Sequence, residues 1–232
     1  MKQENFEYLS QQLKYLGFGD ELTGDLHKNM GKGNQAFTLG ITLVYSSFEK
    51  NAVQYDLNFR KGREDMYFLN SYIARLGEDT AKFYVNKGEK NITSKEAFNL
   101  MEGRAVYREL TNREGEKYHA WHKIDTEKSE GENIKFKSAS AGQGYDLEAA
   151  MKKVVSQELF FGLDKDMAIE SLKKGNLVEV KNMDKSEKYW IAADPQFKTL
   201  EIFDTSGTKL KLEDVNKEKT AEGEKQSAGM TM

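Results

Sequence analysis

The histidines of KYHAWHK, His119 and His122, are the first place to look for chemistry, since an H-x-x-H pair can hold a metal ion. The residues around them alternate as a strand does, and on a strand positions three apart point to opposite faces; metal-binding pairs use i, i+2 on a strand or i, i+4 on a helix. The two are therefore read as ordinary strand histidines. His27, the third, falls on a helix far away in sequence and has no evident partner as a general base. The loop SASAGQG at 138–144 precedes a helix, where backbone N–H groups attract anions. It lacks the lysine and spacing of a Walker loop, and Asp146 and Glu148 already occupy the first helical turn. A connector is the better reading, and Asp194-Pro195 is a turn. With no cysteine in the chain, disulfides, thiolate nucleophiles and cysteine-held metals are excluded. No catalytic set, metal set or cofactor site is expected.

What remains is aromatic. Tyr118 and Trp121 lie in KYHAWHK, Tyr189 and Trp190 in KYWIAA, each with lysines beside them. Strand geometry puts each tyrosine and its tryptophan on opposite faces, so one of each pair should pack in a core and the other can meet a partner. Arg104 and Arg108, with Lys117 and Lys123, could line a basic strip on the same sheet, or be solvated charges. Trp121, Trp190, Tyr118, Tyr189, Arg104 and Arg108 are the candidate binding residues.

These aromatics recur within a larger repeat. Residues 93–137 contain an amphipathic run to Leu100 and Gly103, a β-like run through Val106, Glu-Lys-Tyr at Glu116–Tyr118, Trp121, and an apolar alternation at Ile134 and Phe136. Residues 166–203 repeat the order: Leu172, Gly175, Val178, Glu187–Tyr189, Trp190, then Leu200 and Ile202. Each copy reads as a helix, a glycine stop and a three-stranded meander, the product of an internal duplication. Thr93 and Glu96 have capping-box spacing, and Asp164 or Asp166 can cap the second copy's helix.

Upstream, Phe6, Leu9, Leu13 and Leu16 have helical spacing, and Asp20 can cap a second helix carrying Leu22, Leu26 and Met30. The period then changes to two. Alternation through Phe37–Leu43 and Val53–Phe59, with a turn at 49–51, predicts antiparallel strands with one wet face. A third strand follows at 66–74 and a fourth at 80–86. Apolar residues on both faces of the third place it centrally or beneath a helix. Between the copies a helix is expected at 145–155, and 157–163 reads as buried. The predicted fold class is α+β, antiparallel meander sheets with packed helices. Its divisions are an N-terminal two-helix and meander domain (1–90), a first helix-meander module with a following helix (91–160), a second module (161–212) and a disordered or extended tail (213–232).

The chain has 232 residues, 31% of them charged, with a net charge of −3. That balance argues against a dedicated duplex-DNA binder, whose affinity rests on a basic face. The polar, acidic start and the lack of any long apolar run point to a cytoplasmic protein without a membrane span.

The repeated Leu-x-x-Gly, strand, Glu-Lys-Tyr and tryptophan, together with YLSQQLKYLGFGDEL and NITSKEAFNLMEGRAVYRELTNREGEKYHAW, resemble uncharacterised domains in proteins of bacterial conjugative mobile elements, where related modules occur in tandem. The resemblance implies a context, an accessory protein of a mobile element, and carries over no functional residue. The expected function is a non-enzymatic adaptor that holds a protein partner. The alternative is a single-stranded nucleic-acid-binding factor of DNA transfer or maintenance, and an enzyme is the third class.

Overall fold

The computed structural model describes residues 2–45, 52–86, 90–140, 144–155, 164–181 and 187–211. The turn expected at 49–51, the buried run at 157–163 and the tail from 213 lie outside them. The described chain is α+β, with antiparallel sheets, and packs as two units that divide between Ser138 and Ala139.

The first unit begins with α1 (Gln3–Tyr15) and α2 (Thr23–Gly31), which bury Leu9 and Leu13, and Leu26 and Met30. Asp20 does not cap α2. That helix starts later, behind Leu22, with no side-chain cap, and the Asp20 carboxylate instead pairs with Lys14 at 2.9 Å. β1 (Ala36–Val44), β2 (Ala52–Lys61), β3 (Tyr67–Leu76) and β4 (Asp79–Tyr84) form an antiparallel meander in chain order. Leu39, Val53, Tyr55, Leu57 and Phe59 face the core, while Gln54, Asp56, Asn58 and Arg60 take the wetter face.

β3 explains its own mixed pattern. It is an inner strand, and its register against β2 slips by one residue between Asn58 and Phe59. A bulge of this kind reverses which residues of the bulged strand point inward. Tyr67 and Leu69 are buried before it, Tyr72 and Ala74 after it.

α3 (Ser94–Met101) starts from the expected capping box: the Thr93 hydroxyl accepts from the Glu96 N–H, and the Glu96 carboxylate accepts from the Thr93 N–H at 2.9 Å. Gly103, at φ +78, provides the left-handed residue that ends it. Ala97, Phe98 and Leu100 go into the same core as the four-stranded sheet and α1. The sequence divides the chain after residue 90; packing does not, because the apolar face of α3 is shared with the sheet before it. β5 (Val106–Thr111), β6 (Lys117–Ile124) and β7 (Phe136–Ser140) form a second, three-stranded sheet. Val106 is buried in the shared core, and Ile124, Ile134 and Phe136 pack against it.

In the second unit α4 (Leu147–Val155) is capped by Asp146, whose carboxylate accepts from the Ala149 N–H at 3.0 Å. α5 (Lys165–Lys173) is capped by Asp164, accepting from Asp166 and Met167, and stops at Gly175 with φ +75. β8 (Val178–Lys181), β9 (Lys188–Asp194), β10 (Thr199–Phe203) and β11 (Lys209–Leu210) make an antiparallel sheet in the order β11-β10-β9-β8. Asp204 builds the last turn by accepting from the Ser206 and Thr208 N–H groups.

Both predicted modules thus run helix, glycine and antiparallel meander, α3 to β7 and α5 to β10. In register the tryptophans, and not the tyrosines, hold the same position relative to the helix-ending glycine. Trp121 lies opposite Tyr107 and Trp190 opposite Glu179, each the fourth residue after its helix-ending glycine. Tyr118 faces Leu110, seven residues after Gly103, whereas Tyr189 faces Val180, five after Gly175.

Candidate functional site

The alternation that builds β5 and β6 sorts the candidate residues onto two faces. Arg108 and His122 lie on the face that carries Val106, while Tyr107, His119 and Trp121 take the other. On that second face Tyr107 stacks on His119 with centroids 5.3 Å apart and is tilted against Trp121 at 5.1 Å. Trp121 is only 4% exposed and therefore belongs to packing. Tyr118, by contrast, is 42% exposed. In the second unit Tyr189 is buried and donates to Glu187 at 2.7 Å, and Trp190 is half-buried. One aromatic of each pair is core, as alternation requires, but the core member is the tryptophan in one module and the tyrosine in the other.

The basic strip does not form. Arg104 is buried, donates to Asn99 Oδ1 at 2.8 Å and lies 5.3 Å over the Phe98 ring, so it holds the end of α3. Lys117 pairs with Glu109 at 2.8 Å on the face opposite Arg108. The two histidines separate as their spacing requires, and among the described residues no cluster of His, Asp or Glu is placed to hold a metal ion.

Arg108 and His122 do meet in a cavity of about 370 Å³ in the first unit. Its walls come from the end of β4 (Lys82, Phe83, Tyr84), from Asn86, Asn91 and Ile92, from Arg108, Leu110 and His122, and from 132–136. The edge of β4 is fixed there by Lys82 N–H, which donates to the Glu132 carbonyl at 2.9 Å. Asn86 and Asn91 clamp each other: the Asn86 N–H donates to Asn91 Oδ1 at 2.8 Å, and Asn91 Nδ2 to the Asn86 carbonyl at 3.0 Å. Arg108 donates to the Lys90 carbonyl.

His122 sits edge-on to Phe136 at 5.2 Å, with Ser138 Oγ 3.4 Å from its Nε2. Burial, helped by the nearby Arg108 charge, pushes the imidazole down to about 4. At neutral pH it is an uncharged hydrogen-bonding group, so the cavity's positive charge comes from Lys82, Arg108 and Lys135, against the one carboxylate of Glu132.

Comparison with protein-family models, curated proteins and solved structures found no match to this chain. The site must speak for itself.

A second groove of about 260 Å³ adjoins the first and shares Asn86 and Asn91 with it; its other walls are Tyr8, Gln11, Gln12, Tyr15 and Leu16 of α1 and its end. Tyr8, Tyr15 and Tyr84 are all exposed along this path. Of the candidate binding residues Arg108 lines the cavity and Tyr118 does not, and sequence reasoning missed Lys82, Tyr84, Asn86 and Asn91. The only available signal was the exposed side of α1, where Tyr8 and Tyr15 are seven residues apart and so share a face.

Proposed function

We propose that this chain is a binding protein that holds an extended, acidic segment of a partner protein along the two adjoining grooves of its first unit. The observation that carries the reading is the continuous path from α1 to β5. It offers exposed tyrosines, a cationic wall and amide side chains in one place. Tyrosine and arginine are the residues over-represented at protein interfaces, because each combines apolar area with a polar tip at modest entropic cost. Asn and Gln side chains match the donors and acceptors of an extended backbone. The second reading, a single-stranded nucleic-acid binder, rests on the same aromatics and cations. The Glu132 carboxylate on the wall and the net charge of −3 weigh more against a phosphate backbone, charged at every nucleotide, than against a polypeptide carrying a few carboxylates. The context that the family resemblance implies is an accessory protein of a mobile element, in which this chain would serve as a non-enzymatic adaptor. Common descent of the two helix-meander modules is supported by their shared element order and by the matched register of Trp121 and Trp190.

The test is selection of random displayed peptides on the full chain, followed by anisotropy titrations of the selected peptides and of a labelled oligothymidine. Acidic peptides whose binding drops at least about ten-fold with Tyr84→Ala or Lys135→Glu support the proposal. Binding of the oligonucleotide with a steep salt dependence moves the function to the second reading. Peptides indifferent to both substitutions overturn the assignment of the groove.

A further inference from the structure

We infer that β1 is a self-complementary docking edge, through which two copies of this chain pair antiparallel to make one continuous eight-stranded sheet. β1 is a nine-residue strand at the border of the four-stranded sheet, hydrogen-bonded among the described strands to β2 alone. The Lys61 N–H donates to the Gln35 carbonyl at 2.8 Å, which sets the phase of the ladder. Hydrogen-bonded and non-bonded pairs alternate from there, so Phe37, Leu39, Ile41 and Leu43 bond to β2. Ala36, Thr38, Gly40, Thr42 and Val44 therefore aim their N–H and C=O groups outward. Among the described residues no backbone hydrogen bond reaches this outer edge.

Proteins that stay monomeric protect such edges with charge, proline, bulges or short strands. The other strands at sheet borders here follow that practice. β4, β5, β7, β8 and β11 each carry at least one lysine, arginine, aspartate or glutamate. Among the described border strands β1 alone has no charged residue, and it contains no proline and is regular in register throughout. An undefended edge of this length is expected to have an occupant.

The sequence of the strand says which. AFTLGITLV is chemically palindromic about Gly40: Leu39 answers Ile41, Thr38 answers Thr42, Phe37 answers Leu43, and Ala36 answers Val44. A two-fold axis at Gly40 places Thr38 opposite Thr42 of the second copy, a favourable cross-strand pair, and apolar residues opposite apolar ones. At the crossing point the two glycines present no side chains, so the backbones approach without obstruction. Phe37, Ile41 and Leu43 are only half-buried in one copy, and their counterparts across the axis would extend the apolar face over them. The outward groups of the five alternate residues supply about ten main-chain hydrogen bonds across the axis.

Sedimentation of the full chain between about 1 and 200 µM tests this, because a dimer responds to concentration by mass action. The expected result is a shift from 26.5 kDa toward twice that mass. The double variant Thr38→Lys, Thr42→Lys sets two lysines opposite each other at both pairs and is expected to remain a monomer. Thr38→Glu, Thr42→Glu behaves likewise, and an equimolar mixture of the two variants regains the dimer. Hydrogen exchange of the unmodified chain gives an independent measure, with amides of Thr38, Gly40 and Thr42 slowing as concentration rises. A wild-type chain that stays at 26.5 kDa throughout overturns the inference. So does a dimer that survives both substitutions, or one that leaves those three amides unprotected.

Discussion

The Tyr55 hydroxyl, on the second strand of the first sheet, donates to the carbonyl of Ser94 at 2.8 Å, across 39 residues of sequence. Ser94 itself donates from its backbone to the Leu16 carbonyl at 2.8 Å and from its hydroxyl to the Gly17 carbonyl at 3.0 Å. The end of α1, the sheet and the start of α3 are thus tied at one point. Phe18 fills the space beside it, edge-on to Tyr55 and Tyr72 at 5.3 and 5.2 Å.

Tyr55→Phe keeps the ring and removes only the donor. Ser94 is the first residue of α3, so its carbonyl also serves the helical ladder, and the loss should be near the ordinary net value of about 1 kcal/mol. Urea unfolding at pH 7 measures it. Burial, reinforced by the neighbouring Tyr45, holds the Tyr55 phenol well above its ordinary range, and burial does the same to Tyr72. Above about pH 10 the unfolded chain releases these protons while the folded one keeps them, so stability falls as pH rises past that point. Tyr55→Phe should flatten part of that alkaline loss.

Asn5 stands in for a missing strand. β4 pairs with β3 only from Ser71 onward, which leaves Tyr67 without a ladder partner on that side. The buried Asn5 amide takes the place: its Oδ1 accepts from the Tyr67 N–H at 2.7 Å, and its Nδ2 donates to the Tyr67 carbonyl at 3.0 Å. Asn5→Ala leaves a buried N–H and C=O unpaired, for an expected loss of about 2–4 kcal/mol in the same unfolding assay. An unchanged midpoint would mean that water replaces the side chain without penalty.

The elements were legible in the sequence because each is written in a period, 3.6 or 2, that its own residues display. Phe37–Leu43 and Val53–Phe59 could hardly be anything else. What the period does not encode is the partner across the core. The apolar face of α3 suits the sheet before it as well as the one after it, so Phe98 and Leu100 gave no hint that the first unit runs on to Ser138. Nor does a period distinguish Asn5, a polar residue on an amphipathic helix, from its solvated neighbours. The cavity is assembled from segments between Lys82 and Phe136, and its convergence is a property of the folded chain alone. For Trp121 and Trp190 the sequence shows only their spacing from Glu-Lys-Tyr; the register shows that each lies opposite the fourth residue after its helix-ending glycine, whereas the tyrosines lie opposite the seventh and the fifth.

His122 gives the cavity a measurable pH signature. Its imidazole is pushed down to about 4 by burial and by Arg108, whereas an unfolded chain holds histidine near its ordinary value of about 6.5. Between those two values the unfolded state binds the proton and the folded state does not. Stability is therefore fully present above about pH 6.5 and is lost as the pH falls toward 4. The half-buried position lets solvent screen part of the effect, which leaves an expected loss of about 1–2 kcal/mol between pH 7.5 and 4.5. His122→Gln keeps a neutral hydrogen-bonding side chain and removes the titration. Its unfolding free energy should follow the wild type above pH 6.5 and fall less steeply below it. Parallel curves for the two proteins down to pH 4.5 would show that the His122 ring reaches water in the folded chain, and that the cavity wall built on Phe136 and Arg108 does not exclude it.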